Sequence, residues 1–140
     1  MGVDDSTFSE ETLRAIVGYF RPENAEVLVL HVLEPVGPTP PQMDPAYAPE
    51  LQGEKKTAHD LVERIAKELR SSWFKAETAI EVGDIRESIL DAASGWRANL
   101  IVVGSHGQRG VGRFLLGSVA EFVARHAKCS VQIVRMPENI

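Results

Sequence analysis

Two short runs of the chain are apolar almost without interruption, Glu26–Val32 (EVLVLHV) and Asn99–Gly104 (NLIVVG), each bounded by polar or turn residues. Strands with no polar face are covered on both sides, as in a parallel sheet packed between helices. Two further runs alternate instead. Lys75–Val82 interleaves Ala76, Ala79 or Ile80 and Val82 with charge, which places it nearer an edge, and Cys129–Arg135 sets Val131 and Ile133 on one face. Between these runs the apolar positions recur at steps of three and four. Thr7–Phe20 carries Leu13, Ile16, Val17 and Phe20 on one stripe. Gly53–Ser72 does so with Ala58, Leu61, Val62, Ile65, Ala66 and Leu69, Arg86–Trp96 with Ile89, Leu90, Ala93 and Trp96, and Ser118–Ala127 with Val119, Phe122 and Val123. That spacing predicts four amphipathic helices.

Helices and strands therefore alternate along the whole chain. Alternation of this kind implies right-handed crossovers and an α/β three-layer sandwich around a parallel sheet, formed as a single domain over residues 1–140. Such sheets bind ligands beyond the carboxyl ends of their strands. One strand is cut short: only Met1, Gly2 and Val3 precede Asp4 and Asp5 ahead of the first helix, where a strand usually has about five residues. Ser6 or Ser9 is available to cap the first helix and Asp84 to cap the third. The stretch Glu34–Pro49 holds six of the eight prolines and reads as a surface excursion.

Composition narrows the function classes. The chain has 140 residues, 44% apolar and 25% charged, with a net charge of −5. These values describe an ordinary globular domain and argue against nucleic acid or an anionic membrane as its main partner. The single cysteine, Cys129, rules out an internal disulfide and reads as a small buried hydrophobe. No signal peptide opens the sequence and no apolar run approaches the roughly 20 residues of a membrane span, so a cytoplasmic protein is expected.

The strongest chemical signal is a loop with five glycines, Gly104, Gly107, Gly110, Gly112 and Gly117, followed by Ser118. It leaves a buried strand and enters a helix. Glycines let the backbone approach a ligand closely, and a helix start adds unpaired amides and the positive end of the dipole, the combination that phosphate groups need. The loop is not the ordinary P-loop, because Arg113 and Phe114 stand where Lys and Ser/Thr should follow Gly112. Read locally, it is either a phosphate cradle or a flexible connection. His106 within it is a phosphate donor or a solvated loop histidine, and Arg109 and Arg113 are charge-neutralising contacts or plain surface arginines. His31, in an apolar strand, reads as a satisfied core or rim histidine.

The same residues resemble the ATP-binding branch of the universal stress protein family, whose loop reads glycine, two residues, glycine, nine residues, glycine, then Ser or Thr. Gly104, Gly107, Gly117 and Ser118 fit that spacing. Val3-Asp4-Asp5-Ser6 is similar to the end of the family's first strand, Leu30-His31-Val32 to its second, Gly83-Asp84 to the turn after its third, and Cys129–Val134 to its last. The resemblance implies a five-stranded parallel sheet of order 3-2-1-4-5. It also implies ATP with Gly2 and Val3 lining the adenosine pocket, Asp4 on the ribose side and the Val32 backbone at the adenine edge. The amides of Gly107 and Gly117 and the Ser118 hydroxyl would hold phosphates, with Mg2+ or Mn2+ as a possible companion ion. A homodimer through the C-terminal strand is expected on the same ground.

No nucleophile–base pair or metal-ligand cluster stands out, and the four histidines are widely spaced. The reading is a nucleotide-binding stress-response module without catalytic residues. A weak metal-dependent ATPase and an interaction protein that has lost its ligand are the alternatives.

Overall fold

A computed structural model of the chain describes residues 1–35, 48–106 and 116–135. Helix α1 (Thr7–Tyr19) comes first and leads through a 3-10 turn at Pro22–Asn24 into β1 (Glu26–Leu33). Then follow α2 (Ala48–Ser71), β2 (Lys75–Val82), α3 (Ile85–Trp96), β3 (Leu100–Gly104), α4 (Ser118–His126) and β4 (Ser130–Val134). All four expected strands and helices form. The main displacement is the start of α2, which lies at Ala48 rather than near Gly53 and so takes in Pro49 from the expected surface excursion. Proline is tolerated there because the first turn of a helix has no acceptor for its amide. The rest of that excursion, 36–47, lies outside the described residues.

Helices cover the strands on both sides. On one face Leu13 and Ile16 of α1 and Val62, Ile65 and Leu69 of α2 pack against Val27 and Val29 of β1 and Val102 of β3. On the other, Ile89 of α3 and Ala120 and Val123 of α4 pack against Leu30, Val32, Ile101 and Val103. Alternate residues of β1 and β3 thus serve opposite cores, which is why these strands carry no polar face. Each fully buried Leu, Ile or Val among them contributes about 1.5–3 kcal/mol relative to an exposed one.

Among the described residues the expected single five-stranded sheet is not formed. Two parallel two-stranded ladders are present, β1 with β2 and β3 with β4. Residues Met1–Val3 lie between them as a stub that makes a single bridge, Gly2 to Leu30. On one side Leu30 donates to the Met1 carbonyl at 2.9 Å and accepts from the Val3 amide at 2.8 Å; on the other the Gly2 amide donates to the Val102 carbonyl at 3.1 Å. Three residues are too few for a ladder, so the order 3-2-1-4-5 survives only as the placing of this stub between β1 and β3.

Local capping follows the sequence in part. Asp84 caps α3, its carboxylate accepting from the Glu87 amide at 3.1 Å, and this bond holds its pKa below the usual carboxylate range. Ser6 stands at the N-cap of α1 but makes no side-chain cap bond. Its hydroxyl donates instead to the Asp4 carboxylate. The Ser9 hydroxyl accepts from the Asp4 amide at 2.8 Å, so both serines fix the turn that leads out of the stub.

Candidate functional site

The carboxyl ends of β1, the stub and β3 open into a cleft of about 520 Å³. A second cavity, of about 550 Å³, lies at the opposite ends of the same strands and is walled by their edges. Open α/β sheets take ligands at the carboxyl ends, and only there do the glycine-loop residues converge. Gly2, Val3, Asp4, Val32, Gly104, His106, Gly117 and Ser118 all line that cleft. Eight of the ten residues singled out from sequence are thus brought together by elements as far apart as the first residues and α4. Gly107 and Arg109 lie outside the described residues, as does Arg113.

Two of the glycines are required by packing as well as by any ligand. A Cβ on Gly104 would lie 2.9 Å from Cβ of Phe8 and 3.2 Å from the His106 carbonyl oxygen. A Cβ on Gly117 would lie 2.9 Å from the carbonyl oxygen of Ser105 and 3.2 Å from Cα of His106. The end of β3 and the start of α4 are therefore drawn against each other, and the Gly117 amide donates to Ser105 at 2.7 Å. Gly117 is also the N-cap of α4 and offers no side chain to the first turn. The amides of Ser118, Val119 and Ala120 have no intrahelical acceptor, and among the described residues this helix end meets the cleft without a side-chain cap.

Two histidines stand among the polar groups that line the cleft, with Asp4, Glu34 and Glu54 as its carboxylates. His31, which lines the cleft, is bonded through Nδ1 to the Val3 carbonyl at 2.7 Å. A carbonyl only accepts, so the proton sits on Nδ1. This histidine, read from sequence as a satisfied core or rim residue, anchors the end of the stub. His106 lies against the Phe8 ring, centroids 5.5 Å apart, and its Nδ1 is 3.2 Å from the Ser105 hydroxyl. Its Nε2 is buried and has no hydrogen-bond partner among the described residues. A buried polar atom left in this state costs free energy unless something meets it.

Ser105, Phe8 and Thr12 also line the cleft and were not singled out beforehand. Phe8 and Thr12 come from α1, whose approach to the β3–α4 junction is a tertiary event with no local sequence mark. Ser105, 3% exposed, sits beside a motif glycine and only its position in the loop could have marked it. Among the described residues no group of histidine, cysteine and carboxylate side chains is arranged to hold a metal ion. No described helix is long and apolar enough to cross a membrane.

Parallel strands flanked on both faces by helices, with a glycine-walled cleft beyond their carboxyl ends, define a doubly wound α/β fold. Residues 1–135 match the model of the universal stress protein family, and the chain belongs to that family. The universal stress protein YxiE of Bacillus subtilis is 32% identical over 142 residues, covering 96% of each chain. The solved structure of MJ0577, from Methanocaldococcus jannaschii, superposes with a TM-score of 0.83 at 28% identity, over 99% of this chain and 94% of that one. A universal stress protein solved in complex with cAMP gives a TM-score of 0.60 at 25% identity, over 96% and 93% of the two chains.

Proposed function

We propose that the cleft binds an adenine nucleotide, ATP in the first place, and that occupancy is the signal this protein passes on in a stress response. The observation that carries the reading is the start of α4 at Gly117, which lines the cleft without a side-chain cap, beside a His106 Nε2 that is buried with no partner among the described residues. Phosphate oxygens would accept from the α4 amides and the Ser118 hydroxyl and meet His106 Nε2. Adenosine would lie along Gly2, Val3 and Asp4 with its base against the Val32 backbone. Gly107 and Arg109 complete the proposed phosphate contacts. A relative bound to cAMP supports the adenine part of the reading.

Mg2+ or Mn2+, if it accompanies the nucleotide, would be held chiefly by phosphate oxygens and water. The outer edge of β4 is unpaired among the described residues, and an unpaired edge suits strand-to-strand pairing with a second copy. The proposed unit is accordingly a cytoplasmic homodimer joined along β4.

The test is mass analysis of small molecules released from the denatured protein, joined to ATP titration of the intact protein and of Gly117→Val. Release of an adenine nucleotide and loss of ATP binding in the variant are expected. Absence of both release and binding in the intact protein would overturn the proposal.

A further inference from the structure

The outer edge of β2 has no backbone partner among the described residues. Which of its groups lie on that edge follows from the ladder. Successive residues of a strand direct their peptide groups to opposite sides. β2 pairs with β1 from Lys75 to Val82, and just past the ladder the Gly83 amide donates to the Leu33 carbonyl at 2.9 Å. Odd-numbered positions of β2 therefore turn to β1, and Ala76, Thr78 and Ile80 turn outward.

One of these outward groups is already met, and by a side chain. The Arg70 guanidinium, from the last turn of α2, donates to the Ala76 carbonyl through Nη2 at 2.8 Å and through Nε at 3.3 Å. Its Nη1 lies 3.4 Å from Oε2 of Glu63, whose other oxygen accepts from the Thr78 hydroxyl at 3.1 Å. A cation is thus folded over the start of the edge and held there by the helix it comes from. An added strand would have to displace it or bury its charge, and burying it carries a large desolvation cost. Charge placed on an edge is a common guard against strand pairing.

The strand beneath this guard is complementary to itself. Antiparallel pairing of two β2 edges about an axis at Thr78 sets Lys75 opposite Glu81 and Ala76 opposite Ile80. Opposite charges and paired threonines are favourable cross-strand neighbours. Moving the axis one residue either way opposes Glu77 to itself or to Glu81, and like charges directly opposite are unfavourable. In the favoured register the Ala76 carbonyl is the acceptor for the Ile80 amide of the second copy, and it is the carbonyl that Arg70 covers. We infer that the outer edge of β2 is a latent self-association surface, that its occupant is a second copy of this chain, and that Arg70 holds it shut. The inference needs no bound nucleotide. Beside the proposed pairing along β4, an open β2 edge would join pairs end to end without closure, so Arg70 confines assembly to one edge.

The test is sedimentation velocity of the parent and of Arg70→Met over a range of concentrations, with amide hydrogen exchange on the same samples. Methionine keeps the aliphatic stem of a side chain that is 47% exposed, and Arg70→Ala repeats the measurement with a shorter one. Both should self-associate at concentrations at least roughly tenfold below the parent's, and the Thr78 and Ile80 amides should be protected in the larger species alone. Arg70→Lys, which keeps a charge over the edge, should stay at the parent's size. Lys75 and Glu81 are exposed, so their charges can be exchanged without disturbing the core. Adding Lys75→Glu to Arg70→Met should return it to the parent's size, and adding Glu81→Lys as well should restore association. Open-ended growth of Arg70→Met marks a parent already paired along β4 and a single doubling marks an unpaired one, so the two proposals are read separately. A folded Arg70→Met that keeps the parent's size, association without protection at Thr78 and Ile80, or association indifferent to Lys75→Glu would overturn the inference.

Discussion

Gly117→Ala places one methyl group at the tightest junction of the site. The backbone at Gly117, φ −62 and ψ 155, suits alanine without strain, so the whole effect is steric. The new Cβ would lie 2.9 Å from the Ser105 oxygen, where an unstrained carbon–oxygen contact is about 3.3–3.6 Å. The opposing atoms are backbone, and the Ser105 oxygen is already bonded to the Gly117 amide at 2.7 Å. The loop and helix must therefore part by roughly half an ångström and weaken that bond. Overpacking of this kind costs about 1–3 kcal/mol, offset in part by the ~0.4–1 kcal/mol that alanine gains through a less disordered unfolded chain. The net destabilisation is about 1–2 kcal/mol, a fall in melting temperature of roughly 3–10 °C for a domain of this size. Calorimetry measures that fall. Titration with ATP measures the second effect, at least roughly tenfold weaker binding, because the α4 amides and His106 retreat together and binding geometry tolerates little displacement. A melting temperature within about 1 °C of the parent, with ATP affinity unchanged, would refute the argument that this contact is rigid and shapes the cleft.

Three other outcomes are expected. Gly53, within α2, has open space where a Cβ would stand, so Gly53→Ala should stabilise the chain by about 0.5–1 kcal/mol in denaturant titration, the opposite sign to Gly117→Ala. His31→Leu leaves the Val3 carbonyl without its donor; a loss of about 1–3 kcal/mol in the same assay, together with weaker ATP binding through a loosened Val3–Asp4, is expected. The terminal amine has an ordinary pKa of 8.0 and a folded value of about 5, so between those values the unfolded chain binds more protons and stability rises with pH. Unfolding free energy should therefore fall by up to about 4 kcal/mol from pH 8 to pH 5, and acetylating the amine should remove that dependence.

Much of this architecture was legible because burial on two faces leaves a plain trace. Val27 to Val32 and Ile101 to Val103 serve both cores, and their unbroken apolarity marked β1 and β3 directly. The stripe from Ala58 to Leu69 marked α2, but its start was hidden because proline reads as a breaker except in the first turn, where Pro49 stands. The sheet was less legible. A resemblance supplied five strands, whereas three residues ahead of Asp4 sustain one bridge. In the site, Gly104 and Gly117 were found for one reason and prove to have another as well: both lie where a Cβ would strike Phe8 or the Ser105 backbone. The Phe8–His106 contact had no mark in the sequence, since it depends on how α1 crosses the end of β3.

The stub also constrains the order of events during synthesis. Gly2 leaves the ribosome long before Val102, a hundred positions later in the chain, yet its amide is hydrogen-bonded to that residue. Closing so long a loop carries a large entropic cost before any contact repays it. The segment at the centre of the sheet therefore docks late, after both of the strands that hold it have been made. Until then, a nascent chain that already contains β1 and β2 exposes the edge of β1 along Glu26, Leu28 and Leu30, and that edge is the place for a chaperone to cover.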